Sequence, residues 1–226
     1  RIMNPTQMVL EARLQSLEGG TDTAIGLPGA LAVASGQAAE TLSILNLAEA
    51  GDHIVASASL YGGTYNLLHY TCPKMGSETT FISDPDDLDA WAAAIRPNTK
   101  AFYGETIGNP KNDCLDLEGI SALAHDNDIP LIVDNTVASP YLMNPLALGA
   151  DIVVHSMTKF IGGHGNSIGG VTIDGGNFDW GATDKYPTIT EPYAPFSGLN
   201  IWEEFGPSAF ATRIRAEAMR DIGPSM

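Results

Sequence analysis

Lys159 is the residue around which a chemistry can be built. It follows the apolar run Ile152-Val153-Val154, comes after the hydroxyls of Ser156 and Thr158, and leads into Gly162, Gly163 and Gly165. A lysine in such company has two uses: as a point charge it binds phosphate, and once deprotonated it attacks a carbonyl as a Schiff-base amine. Four other polar groups follow apolar runs elsewhere in the chain. Ser35-Gly36-Gln37 comes after residues 30–34 and opens a helical pattern, so its backbone N–H groups can hold a phosphate against the positive end of a helix. Asp134 closes Leu131-Ile132-Val133, Asn109 lies in the loop beyond Tyr103-Gly104-Glu105, and Tyr61 follows His53-Ile54-Val55-Ala56.

These runs belong to an alternation of strand-like and helix-like segments. Apolar, β-branched stretches predict strands at residues 30–34, 53–56, 79–82, 100–104, 131–133, 152–154 and 171–173. Helical patterns predict helices at 8–17 after Asn4-Pro5-Thr6, through Ala38, Leu42 and Leu45, at 61–70, at 86–95 opened by Asp84 and Pro85, and at 117–125. Repeated βα alternation implies an α/β fold, a mostly parallel sheet covered by helices on both faces. Ligands of such sheets gather outside the carboxyl ends of the strands, which brings the lysine, the carboxylate, the amide and the phosphate cradle to one edge. Residues 174–198, rich in Gly, Pro and aromatics, read as an irregular excursion over the surface of the kind that often carries function. A helical pattern resumes at 213–220 and stops at Gly223-Pro224; no linker is visible, so residues 1–226 read as one domain.

Together these groups suit pyridoxal 5'-phosphate. Its aldehyde needs a lysine, its phosphate needs hydroxyls and backbone amides, and its pyridine nitrogen needs a carboxylate that keeps it protonated so that the ring withdraws electrons. Lys159, the Ser35-Gly36-Gln37 turn with Ser156 and Thr158, and Asp134 match those needs in turn. Asn109 is available to the 3'-oxygen, and Tyr61 to cover the ring face. Each residue alone has an ordinary reading: Asp134 as a helix cap, Asn109 before Pro110 as a turn residue, Tyr61 as packing. Their conjunction after successive strands carries the argument.

At these residues the sequence resembles the pyridoxal-phosphate enzymes of cysteine and methionine metabolism. The segment from His155 through Ser156, Met157, Thr158 and Lys159 to Gly165 is similar to that family's cofactor-lysine signature, and Val133-Asp134-Asn135-Thr136 to its pyridine-nitrogen motif. The resemblance implies Lys159 as the Schiff-base lysine and proton carrier, Asp134 as partner of the ring nitrogen, and Tyr61 as the stacking ring. It also implies Asn109 as ligand of the 3'-oxygen and Gly36, Gln37, Ser156 and Thr158 as phosphate ligands. Arg1 matches an arginine that reaches the phosphate of a neighbouring subunit, so a homodimer or homotetramer with a shared active site is implied. Within the family, Ser35-Gly36-Gln37-Ala38-Ala39 and the regions after Asp174 and Phe205 most resemble the O-acetylhomoserine sulfhydrylases. The implied reaction replaces the acetyl group of O-acetylhomoserine with sulfide to give homocysteine; cystathionine γ-synthase, a methionine or cystathionine γ-lyase and an inactive remnant of the fold are the alternatives. Family members carry a tyrosine two residues before Arg1 and a later domain whose arginine binds the substrate carboxylate, so the chain is expected to be the central portion of a longer cytoplasmic enzyme.

Composition narrows the partners. The net charge of −16, from 27 acidic and 11 basic residues, disfavours nucleic acid and anionic membrane surfaces and would suit a high-salt cytoplasm. No apolar stretch approaches the roughly 20 residues that span a bilayer. Cys72 and Cys114 have no metal-ligand or redox spacing and are expected to be unpaired core thiols. Two decoys fail. Gly163-His164-Gly165 meets Ile168 where a dinucleotide fingerprint needs glycine, and Gly165-Asn166-Ser167-Ile168-Gly169, a nucleophile-elbow pattern, has a strand-like segment after it and no later histidine.

Overall fold

The computed structural model describes residues 3–24 and 26–226. Seven strands make one sheet: β1 (Ala30–Val33), β2 (His53–Ser57), β3 (Glu78–Ile82), β4 (Thr99–Glu105), β5 (Leu131–Asp134), β6 (Ile152–Ser156) and β7 (Gly170–Asp174). Their order across the sheet is β1-β7-β6-β5-β4-β2-β3. Strands β2 to β6 run parallel, while β7 pairs antiparallel with both β6 and β1, so β1 points the same way as the parallel set.

Alternate side chains of each strand enter two separate cores, as the two-residue period requires. Leu31, Val33, Ile54, Tyr103, Ile132 and Val154 pack on one face, with Leu42 and Ile44 of α2 (Gly36–Leu45). Ala32, Val55, Phe102, Leu131, Val133 and Val153 pack on the other, with Leu14 of α1 (Pro5–Glu18). On that second face lie also Trp91 of a helix at Leu88–Ala94 and Ile120 of a helix at Leu117–His125. A sheet buried on both faces explains why the central strands read as continuous apolar runs.

Capping sets where helices begin. Asn4 Oδ1 accepts from Thr6 N at 2.9 Å with Pro5 at the first helical position, so α1 starts at Pro5, three residues earlier than its apolar pattern predicts. The helix expected at 86–95 starts at Leu88, where Asp87 accepts from Ala90 N at 3.0 Å and takes the capping role expected of Asp84. Residues 61–70 form α3 (Gly62–Asn66) followed by a wider π turn, Leu67–Thr71.

One expectation is refined and one needs correction. The segment 174–198 is irregular and more exposed than buried, as expected, but it is anchored by Phe178, Trp180 and Tyr186, which are buried, and Trp180 stacks on Phe210 with ring centroids 5.6 Å apart. Three large aromatics pin an otherwise irregular backbone to the core. Of the two cysteines, Cys72 is buried but Cys114 is exposed, so only one is a core thiol; both are unpaired. Among the described residues, no helix is long and apolar enough to cross a membrane, and no His, Cys, Asp or Glu cluster is arranged to hold a metal ion.

Candidate active site

The parallel strands and β1 deliver their loops to one edge of the sheet, and a cavity of about 620 Å³ lies there. Gly36 and Gln37 reach it from the end of β1, Tyr61 from the loop after β2, and Asn109 from the loop after β4. Asp134, the last residue of β5, and Ser156, Thr158 and Lys159, at and beyond the end of β6, complete the wall. Eight of the nine residues singled out in the sequence therefore line one cavity; Arg1 lies outside the described residues.

The anion cradle depends on a missing side chain. A Cβ at Gly36 would lie 2.7 Å from Ser156 Cβ and 2.9 Å from Ser156 Cα, so only glycine lets the first turn of α2 close on β6. Ser35 Oγ accepts from Ala38 N at 3.1 Å. The amides of Gly36 and Gln37, in the first turn of α2, have no carbonyl within the helix to bond, and both residues line the cavity. The Gln37 side chain donates to Glu40 Oε2 at 2.9 Å, so it is already engaged within the wall. The Thr158 hydroxyl sits between Gly169 N, at 3.2 Å, and Gly169 O, at 3.3 Å, and so holds the Lys159 loop against the start of β7.

Asp134 is buried to 8% exposure and built into a relay. Its Oδ1 accepts from Thr136 N at 2.8 Å and from Thr136 Oγ1 at 2.5 Å, and Thr136 Oγ1 accepts in turn from Ser156 N at 2.7 Å. Burial pushes the Asp134 carboxyl above the usual carboxylate range; the Thr136 hydrogen bonds and the field of His155 oppose that rise. Behind β6, His155 Nε2 and Glu18 Oε1 share a hydrogen bond of 2.5 Å, fully buried. Lys159 is exposed to the cavity and, among the described residues, takes part in no ion pair.

Tyr61 and Asn109 share one anchor. Glu105 Oε1 accepts from Tyr61 N at 2.6 Å, and the same carboxyl accepts from the Asn109 backbone. Burial, then the nearby Asp134, raises Glu105 to about 8. A side chain at Gly63 would run into the Tyr61 ring, which leaves Tyr61 half exposed over the cavity. The donor set fits pyridoxal phosphate: free first-turn amides beside a glycine-closed strand for the phosphate, a carboxylate for a cationic ring nitrogen, and a lysine in the turn just beyond the adjoining strand.

A family model described as "Cys/Met metabolism PLP-dependent enzyme" matches residues 1–200. The chain belongs to this family. It is 52% identical to the O-acetyl-L-homoserine sulfhydrylase of Leptospira meyeri over all of this chain and 51% of that protein. The chain thus spans about half the length of the curated relatives it matches. The O-acetylhomoserine sulfhydrylase of Wolinella succinogenes, solved in connection with methionine biosynthesis, superposes with a TM-score of 0.82 at 40% identity, over 99% of this chain and 59% of that one. A Campylobacter jejuni protein assigned as an O-acetylhomoserine (thiol)-lyase, solved with N'-pyridoxyl-lysine-5'-monophosphate, superposes with a TM-score of 0.92 at 35% identity, over 100% and 54%. The family is pyridoxal-phosphate dependent, so the cofactor expected from the residues is the family's own.

Sequence reasoning passed over three polar side chains of this wall: Glu40, Glu105 and Thr136. Thr136 carried a signal, since a hydroxyl two residues after a strand-ending aspartate has the spacing of a local side-chain turn. Glu40 and Glu105 carried none beyond being acids in apolar surroundings.

Proposed function

We propose that the protein to which this chain belongs is an O-acetylhomoserine sulfhydrylase, converting O-acetylhomoserine and sulfide to homocysteine and acetate. The observation that carries the reading is the convergence of Lys159, Asp134 and the Gly36 cradle on one cavity; the relatives of the same name supply the substrate. When bound, pyridoxal phosphate supplies an electron sink that makes protons next to an amino acid's α carbon removable. Residues 1–226 are the large cofactor-binding domain. In it the amides of Gly36 and Gln37, with Ser156 and Thr158, hold the phosphate, and Asp134 holds a proton on the ring nitrogen. Asn109 orients the 3'-oxygen, Tyr61 covers the ring and excludes water from its face, and Lys159 Nζ attaches the cofactor and then carries protons between the α and β carbons of the substrate. Arg1 reaches the phosphate of a neighbouring subunit in a homo-oligomer, and the enzyme works in the cytoplasm.

Borohydride reduction of the full-length protein followed by peptide mapping tests the site: the adduct falls on Lys159, and an adduct at any other lysine refutes the assignment. Incubation with O-acetylhomoserine and sulfide yields homocysteine; 2-oxobutyrate and ammonia in its place would make the enzyme a γ-lyase.

A further inference from the structure

Behind the ring-nitrogen partner lies a second carboxyl that the reaction as outlined leaves without a task. Glu40, on α2, is 3% exposed and lines the same cavity as Asp134. Its Oε2 accepts from Gln37 Nε2 at 2.9 Å and its Oε1 from Thr64 Oγ1 at 3.2 Å. It is also within hydrogen-bonding reach of the Asp134 carboxyl. Neither carboxyl forms an ion pair with a lysine or arginine among the described residues. Two buried carboxyls that hydrogen-bond each other at the cavity wall repel when both are ionised, and one shared proton relieves that repulsion.

The surroundings decide which partner keeps it. From β5, Asp134 takes two donors from Thr136 and feels His155 on β6, all of which favour its anion. Glu40 receives only the neutral donors Gln37 and Thr64 and faces Asp134 and Glu105, two more acids. Tyr103 of β4 packs near the group as a neutral phenol whose ionisation burial suppresses, and Lys159 lies across the cavity. We propose that Glu40 is a positioning residue: it stays protonated and donates to Asp134, so that a carboxyl–carboxylate pair of net charge −1, and not Asp134 alone, faces the cofactor's ring nitrogen. The proposal rests on the reading of Asp134 as that nitrogen's partner. Burial followed by repulsion from Asp134 holds the Glu40 carboxyl well above its ordinary range, in the sense the geometry requires. One negative charge matches one pyridinium. The donated hydrogen bond also makes Asp134 a weaker base and fixes the oxygen that Thr136 leaves unheld.

The test uses full-length holoenzyme and three variants. E40Q keeps a neutral donor of the same shape, E40L removes it, and D134N replaces the acceptor. The infrared difference spectrum of wild type minus E40Q at neutral pH is expected to show a carboxylic-acid carbonyl band, which moves when Asp134 is replaced by Asn. E40Q is expected to bind pyridoxal phosphate within about twofold of wild type, and E40L about tenfold more weakly, the worth of one hydrogen bond to a charged group. Absence of the acid band, or E40Q binding as weakly as E40L, overturns the proposal; the isosteric E40Q and the band decide even where E40L fails to fold. Wild-type cofactor affinity and visible spectrum in D134N would instead overturn the parent reading of Asp134.

Discussion

Replacing Gly36 by alanine tests the anion cradle through a contact whose size the structure gives. The new Cβ would stand 2.7 Å from Ser156 Cβ and 2.9 Å from Ser156 Cα, where ordinary contact begins at 3.4 Å. One of these neighbours is backbone in the sheet, so no rotamer change relieves the overlap. The first turn of α2 must retreat by about 0.7 Å, at a cost of ~1–3 kcal/mol for overpacking. The same retreat stretches an amide–phosphate hydrogen bond from about 2.9 Å to about 3.6 Å, beyond useful range. Loss of one or two such bonds to a charged group, at about 1.5 kcal/mol each, raises the Kd for pyridoxal phosphate by roughly 10- to 100-fold. The control is Gly62→Ala at the start of α3, where an added Cβ meets nothing within 4 Å. That variant should bind the cofactor normally and match or slightly exceed wild-type stability. Titrating full-length apoprotein with pyridoxal phosphate, followed by visible absorbance, with thermal melts of the cofactor-free forms, separates affinity from stability. If G36A melts lower yet binds within about twofold of G62A, the cradle is packing alone and the phosphate lies elsewhere.

Three further outcomes follow from the same geometry. Thr136→Val removes both the donor to Asp134 and the acceptor of Ser156 N; it should cost about 1–3 kcal/mol in denaturant unfolding and weaken the cofactor, with Thr136→Ser restoring most of both. A wild-type unfolding midpoint for the valine variant would show that the relay holds nothing. Because Glu105 is raised from 4.5 to about 8, the folded state keeps a proton that the unfolded chain loses, so stability is full in acid and declines as pH rises from about 4.5 through 8. Glu105→Gln should flatten that decline, whose ceiling is ~5 kcal/mol, and an unchanged pH profile would remove Glu105 from the account. Trp180→Ala should cost ~3–5 kcal/mol as a buried aromatic does, whereas a change within about 0.5 kcal/mol would show that Trp180 does not anchor residues 174–198.

Most strands were legible because they are buried on both faces; β3, at the sheet edge, is not, and was legible from its β-branched residues. Leu131-Ile132-Val133 and Ile152-Val153-Val154 have no polar residue to break the run; Asp134, which ends the first, and Ser156, Thr158 and Lys159, which lie two to five residues beyond the second, are carried to the cavity, whereas His155 turns behind β6 to Glu18. The position of Asp134 and of Lys159 could therefore be read from the chain without knowing the strand order. Direction was less legible. Val171-Thr172-Ile173 has the composition of its parallel neighbours, and it runs antiparallel because the loop after β6 returns to the sheet without a crossover helix. The anchoring of the segment after Asp174 was illegible for a related reason: glycine and proline report local backbone, whereas Trp180 and Tyr186 are buried by helices that arrive later, around Phe210.

The carboxyls were illegible for a reason that composition cannot repair. Glu40, Glu105 and Asp134 are widely separated in sequence and come from α2, β4 and β5; only the pairing of Glu105 with Asp134 across adjacent parallel strands, and the packing of α2 over them, puts three acids around one cavity. Glu40, the one charged residue of α2, reads as an ordinary helix acid, with no sign that its nearest charge is another acid. The net charge of −16 counts all three as anions, whereas Glu105 is raised to about 8 and burial against Asp134 raises Glu40 as well. The cavity is accordingly far less negative than its composition implies, which removes the repulsion that the proposed phosphate at Gly36 and Gln37 would otherwise meet from these carboxyls.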